Sequence, residues 1–179
     1  MSVSEYAEKL GIGVCVEIDP ALLVPEERIR KYCEENKCGS YGRNYTCPPN
    51  AGSLDEISER LKNCNHGYLF QYSKELDLKK DFKKILKSKD DFHKIILKIE
   101  DSMNKSGIDD VWGLIGGNCG LCHACAIQKD KPCRHPDKSR MSLEAIGIDV
   151  VGLLNKLGLD SNFHRDRITW TGCILYYTP

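Results

Sequence analysis

An α/β domain, built on a mixed β-sheet flanked by helices and carrying two cysteine-rich loops, is the fold class this sequence predicts. Three observations predict it. Short β-branched apolar runs alternate along the chain with stretches of helical periodicity. At 179 residues and 41% hydrophobic composition the chain can bury one real core but is cramped for two, so residues 1–179 read as a single domain. Finally, two segments with neither strand nor helix pattern hold seven of the ten cysteines.

The elements follow in order. Ile12 to Ile18, "IGVCVEI", is apolar and β-branched and reads as a first strand. "VPEERIRKYC" places Pro25 at a helix N1 position with acidic residues in the first turn, and carries Cys33 at or past the helix end. "GSYGRNYTCPPNAG" is an ordered loop by its Gly, Asn and Pro content. Ser53 with Glu56 forms a capping-box pattern, and Leu54, Ile57 and Leu61 give the following helix one apolar face. "GYLFQYS" is a second strand. From Leu78 to Met103 the apolar period is helical, with "SKDD" dividing it into two helices and Ser88 as cap of the second. The lysines here read as a solvated outer face, offset by nearby acids. "VWGLIGG" is a third strand that runs straight into a cysteine loop. "MSLEAIGIDVVGLLNKLGL" supplies one or two short helices, and "ITWTGCILYY" closes the chain as a strand paired with "NFHRD".

Composition narrows the function classes. Lys+Arg and Asp+Glu are equal at 26 each, which argues against a protein that grips nucleic acid by neutralising phosphates. The first twenty residues have charges among their apolar positions and no secretory core, and no run reaches the length of a membrane helix. The expected compartment is the cytosol, with no membrane partner. Cytosolic thiols are kept reduced, so clustered cysteines there point to metal or catalysis before disulfides.

"NCGLCHACAIQKDKPCRHP", Asn118 to Pro136, spaces Cys119, Cys122, Cys125 and Cys133 as C-x2-C-x2-C-x7-C. Three thiolates at i, i+3 and i+6 can wrap one side of a 4Fe–4S cubane, whose iron corners each take one sulfur. A tetrahedral zinc instead prefers two C-x2-C pairs from separate segments, and stands as the alternative. Bacterial ferredoxins place a fourth cysteine sooner, so Cys133 could return to the same cluster or reach across to a second one. The N-terminal group, Cys33-x4-Cys38-x8-Cys47-Pro48-Pro49, is either a set of buried inert thiols or a second metal site. Its Gly- and Pro-rich loop favours the second metal site, since loop amides can donate to cluster sulfurs.

The two groups offer seven cysteines, and two fully thiolate-bound cubanes need about eight. Candidates for the eighth position are Cys64, Cys15, Cys173 and His135; the alternative is one iron left open to a substrate. Cys15 and Cys173 lie within apolar strand patterns, which also suits ordinary core residues.

The succession of "CGSYGRNYTCPP", "CGLCHAC", "PCRHP" and "SLEAIGIDVVGLL" resembles a prokaryotic family known as predicted metal-binding proteins of unknown function. The likeness runs from about Glu17 to Tyr177. By that resemblance Cys33, Cys38, Cys47, Cys119, Cys122, Cys125 and Cys133 fall on the family's cysteines, while Cys15, Cys64 and Cys173 do not. Met141 stands where the family usually has a proline, which leaves the ligands unaffected. The resemblance implies metal binding and a prokaryotic, anaerobic setting, and it brings no substrate with it.

Other residues carry weaker signals. Glu144 and Asp149 bracket "AIGI" and either hold Arg134 or Arg140 near a cluster, form a proton route, or simply lie in a helix and cap the next one. Tyr41, Arg43 and Asn44 sit inside the first cysteine loop, where a partner or substrate could dock. No G-x-G-x-x-G, Walker, H-E-x-x-H or Ser/His/Asp pattern is present. The expectation is an iron–sulfur protein with two 4Fe–4S clusters, exchanging electrons with a redox protein. An enzyme with an open cluster iron and a structural zinc module are the alternatives.

Overall fold

The starts of two helices are set by local chemistry that can be traced to single residues. In this computed structural model, which describes residues 2–179, the order is α1 (Val3–Lys9), β1 (Val14–Ile18), α2 (Glu27–Glu34), α3 (Leu54–Lys62), β2 (His66–Glu75), α4 (Phe82–Lys105), β3 (Trp112–Leu114), α5 (Val150–Lys156) and β4 (Arg167–Tyr176). α1 begins at a capping box, with Ser2 Oγ accepting from Glu5 N at 3.2 Å and Glu5 returning a carboxylate to Ser2 N at 2.7 Å. The sequence carries the S-x-x-E signal for this helix at Ser2 and Glu5. The same device opens α3 at Ser53 and Glu56, as expected, with Ile57 and Leu61 buried beneath it.

The four strands pair in the order β1-β2-β4-β3, and every ladder is antiparallel. The parallel component expected of a mixed sheet is confined to one isolated bridge, Ile115 to Ser142. Both faces are covered, which is why the central strands read as continuous apolar runs rather than as alternation. On one face Leu69, Cys173 and Leu175 meet Ile57, Leu61, Leu143, Ile146, Leu153 and Leu154. On the other, Phe70 and Ile174 meet Ala7 of α1 and Phe92, Ile95, Ile96 and Ile99 of α4. The α/β architecture is therefore three layers: helices, sheet, helices.

Four details differ from the expectation. α4 is one unbroken helix of 24 residues. Ser88 does not cap it; its Oγ donates to Ile85 O at 2.7 Å and accepts from Trp170 Nε1 at 2.9 Å, so the hydroxyl is used inside the helix face. "NFHRD" forms no strand: it runs directly into β4 at Arg167, with no turn through which it could fold back on that strand. Pro25 lies before the cap residue Glu26 rather than at the first helical position. Finally, Leu143 to Gly147 is a chain of turns and not a helix, closed by Ile148 N to Leu143 O at 2.9 Å. Asp149 does cap the helix that follows, accepting from Gly152 N at 2.9 Å. Among the described residues no helix is long and apolar enough to cross a membrane.

Candidate metal centre

β3 delivers the chain to the second cysteine loop. Past Leu114 the backbone passes Ile115, whose N–H donates to Met141 O at 2.9 Å, and the bridge to Ser142 closes the neck of the loop at the same point. Everything between Gly117 and Arg140 is irregular apart from one 3-10 turn, Ala126–Lys129, directly after Cys125. A loop of this length needs anchors. Helix α4 supplies three, all buried. Lys89 Nζ donates to Asn118 Oδ1 at 2.9 Å, and His93 Nε2 donates to Lys138 O at 2.8 Å. Glu100 accepts from Arg140 Nε at 2.8 Å and from Gly113 N at 2.7 Å. Glycine is required at 113, since a Cβ there would stand 2.5 Å from the Glu100 carboxylate.

Within the loop, Cys119, Cys122, Cys125 and Cys133 line a single hollow, together with Asn44 and Thr46 of the other loop and His135. Cys133 thus lines the same hollow as the three closely spaced cysteines. Its sulfur accepts the His135 N–H at 3.4 Å, and the backbone amides of Leu121 and Arg140 favour the charged form of Cys119. Burial pushes the Cys119 thiol up, and those amides pull against it. All ten cysteines are free thiols.

The first group is assembled from the last turn of α2 and the loop behind it. Cys33, Cys38 and Cys47 interact electrostatically with one another, and Cys47 also with Cys119, so the two groups are neighbours. Cys47 is buried and its thiol is pushed up to about 12. Four contacts bind the loops together: Asn44 Nδ2 to Cys119 O at 3.0 Å, Tyr45 OH to Lys131 O at 2.9 Å, Gln128 Nε2 to Arg43 O at 3.1 Å, and Arg43 Nη2 to Gln128 Oε1 at 3.2 Å. Of Tyr41, Arg43 and Asn44, expected at a partner or substrate surface, Arg43 and Asn44 are fastened to the second loop, Asn44 buried and Arg43 exposed.

Arg30 braces α2 against the Leu143–Gly147 turns, through Nε to Ala145 O at 3.1 Å and the terminal NH1 to Gly52 O at 2.6 Å. Its other terminal nitrogen, NH2, is buried without a hydrogen-bond partner, in a side chain that interacts electrostatically with Cys33 and Tyr41. Glu144 also acts on Cys33. It keeps solvent access, but protein around its carboxyl raises the pKa.

The eighth-position candidates separate cleanly. Cys173 is fully buried in β4, opposite Leu69 and Leu114, with Cys64 packed against the same core. Cys15 lies on β1 and donates to Ser4 Oγ at 3.5 Å. None of these three reaches either cysteine loop. Only His135 does, at the four-cysteine hollow. Neither Glu144 nor Asp149 holds Arg134 or Arg140: Asp149 pairs with Arg28 at 2.7 Å, Arg134 donates to Ala124 O at 3.0 Å, and Arg140 belongs to Glu100. Among the described residues, no group of three or more His, Cys, Asp or Glu side chains is assembled as a shell for a metal ion.

A family model described as predicted metal-binding protein (DUF2284) matches residues 16–176. The chain belongs to that family. No curated protein and no solved structure matches it. In this predicted metal-binding protein, both cysteine groups fall within the matched span. Sequence reasoning missed Lys89, His93, Glu100 and Arg30, although the first three fall at helix-compatible spacing on the apolar side of α4.

Proposed function

We propose that this chain is an iron–sulfur protein that holds two 4Fe–4S clusters and passes electrons to or from a redox partner. The observation that carries the proposal is the single hollow lined by Cys119, Cys122, Cys125 and Cys133, with a backbone N–H donated to the sulfur of Cys133. Such donors favour thiolate over thiol and are the means by which a protein tunes a thiolate-bound centre. Three of these sulfurs have the spacing that suits separate iron corners.

The other loop supports a second site. Cys33, Cys38 and Cys47 form one electrostatic group, beside which Arg30 keeps a buried donor with no acceptor. An unmet buried guanidinium N–H is costly, and a thiolate-bound anionic group is the kind of acceptor that would remove the cost. When bound, the clusters would supply one-electron chemistry at potentials set by net charge, hydrogen bonds to sulfur and exposure. The chain's own residues bind, orient and shield. Asn44, Tyr45 and Gln128 clamp the two loops face to face, so the sites stay adjacent.

A second reading has one observation in its favour. Among the described residues the one cysteine outside this group that acts on it, Cys119 on Cys47, already lines the other hollow, while Glu144 does lie in range of Cys33. A three-cysteine site leaves one position for a substrate, which is the enzyme alternative. Protein purified without oxygen tests the shared premise: it is expected to be brown, with a broad band near about 400 nm from thiolate-to-iron charge transfer that bleaches on reduction. A preparation that stays colourless after iron and sulfide reconstitution would overturn it. Stepwise ferricyanide oxidation followed by electron paramagnetic resonance then separates carrier from enzyme. A three-iron signal arising first from one cluster marks an open position; equal resistance of both clusters supports the carrier.

A further inference from the structure

Lys89 is the only buried lysine among the described residues, and its position is unusual for a side chain of such high hydration. Its stem lies on Gly117, where an added Cβ would stand 3.2 Å from the lysine Cδ and 3.2 Å from the Trp170 ring. The ammonium donates to Asn118 Oδ1 at 2.9 Å and lies 3.2 Å from where a Cβ on Gly120 would be. It therefore contacts the residues on both sides of Cys119. Gly120 leaves room for this approach, since a Cβ there would also collide with the Asp90 carboxylate.

The charge balance at this point is incomplete. An ammonium has three donors. Asn118 is neutral, and the nearest carboxylate, Asp90, sits 3.9 Å away on a side chain that is 42% exposed. The other charged neighbour on this face is Arg140, a cation already held by Glu100. His93, one turn along α4, is pushed toward its neutral form by burial. A cation that is 9% exposed and weakly paired is expensive to keep in place, unless negative charge completes its surroundings.

We infer that Lys89 compensates the negative charge of the thiolate-bound group at Cys119, Cys122, Cys125 and Cys133, and thereby raises its reduction potential. The inference rests on the iron–sulfur reading of that hollow. Adding an electron adds negative charge, and a fixed buried cation beside the site favours the reduced state. Lys89 is a positioning residue here, since it touches the loop that carries Cys119 and not a reacting atom.

The test is a redox titration of the full chain, purified without oxygen and followed by electron paramagnetic resonance, in the wild type, Lys89→Met, Lys89→Arg and Asp90→Asn. Lys89→Met is expected to disfavour reduction of one cluster at least tenfold, about 59 mV for a one-electron couple, and to leave the other unchanged. Lys89→Arg keeps the charge and is expected to stay near wild type. Asp90→Asn removes a competing anion and is expected to shift the same cluster in the opposite direction. A merely structural role would not give opposite signs. The inference is overturned if Lys89→Met retains its cluster at the wild-type potential. If Lys89→Met fails to assemble, Asp90→Asn decides: an upward shift supports the inference, and no shift or a downward one overturns it. A wild-type chain without iron and sulfide refutes the underlying reading instead, and is distinguishable from both.

Discussion

Replacing Arg140 by Met removes the cation from the most buried ion pair in the described chain. The Glu100 side chain is 4% exposed and that of Arg140 is 20% exposed, at 2.8 Å between Nε and Oε1. After the substitution the carboxylate keeps only the Gly113 N–H among its contacts. Breaking a buried pair by deleting one partner costs about 3–5 kcal/mol, because the other charge is stranded. The partial exposure of Arg140 places the expected loss at the lower end, ~3 kcal/mol. With a urea m-value of about 2 kcal/mol per molar, the unfolding midpoint should fall by roughly 1.5 M. The assay is urea unfolding under anaerobic reducing conditions, followed by the fluorescence of Trp112 and Trp170. Glu100→Gln combined with Arg140→Met should recover part of the loss, since no charge is then left alone. A loss below ~1 kcal/mol, the range of an exposed pair, or simple additivity of the two single changes would refute this assignment of Glu100 and Arg140.

Further outcomes follow from the same geometry. Cys122→Ala should abolish metal content at the four-cysteine hollow, while Cys15→Ser and Cys64→Ser should leave metal content unchanged; metal analysis of the purified variants decides this. In the metal-free chain at pH 8, a haloacetamide should modify exposed Cys38 first, and buried Cys47 and Cys173 last, because burial holds both thiols well above the ordinary range; peptide mass spectrometry over time reads the order. Burial lowers the pKa of His93, so the unfolded chain binds the extra proton. The contribution of His93 is therefore fully present above the unfolded value of about 6.5 and is lost as pH falls through the lower folded value. His93→Gln should flatten that part of the stability–pH curve, and an unchanged slope would count against a neutral buried imidazole.

Much of this was legible in the one-dimensional pattern, and the remainder shares a physical cause. Capping boxes at Ser53 and Glu56, the cap at Asp149 and the continuous apolar strands are local signals, and each stands where the residues place it. Cys119, Cys122 and Cys125, close in sequence, line one hollow together with Cys133, whose place there its spacing left open. What failed was reading polar residues inside a helical stripe. "SKDD" reads as a break, yet Ser88 is satisfied by Ile85 O and Trp170, and Lys89 reaches Asn118. Those partners lie in other elements, and spacing along α4 alone does not reveal them. The antiparallel sheet follows from pairing β2 with β4 across about a hundred residues, again a long-range contact that local periodicity does not encode.

Iron and acid-labile sulfide, counted per chain in protein purified without oxygen, test the iron–sulfur assignment most directly. Two cubanes predict about eight of each, falling to about four of each in Cys122→Ala. Zinc bound without sulfide would contradict both the carrier and the open-iron reading at once.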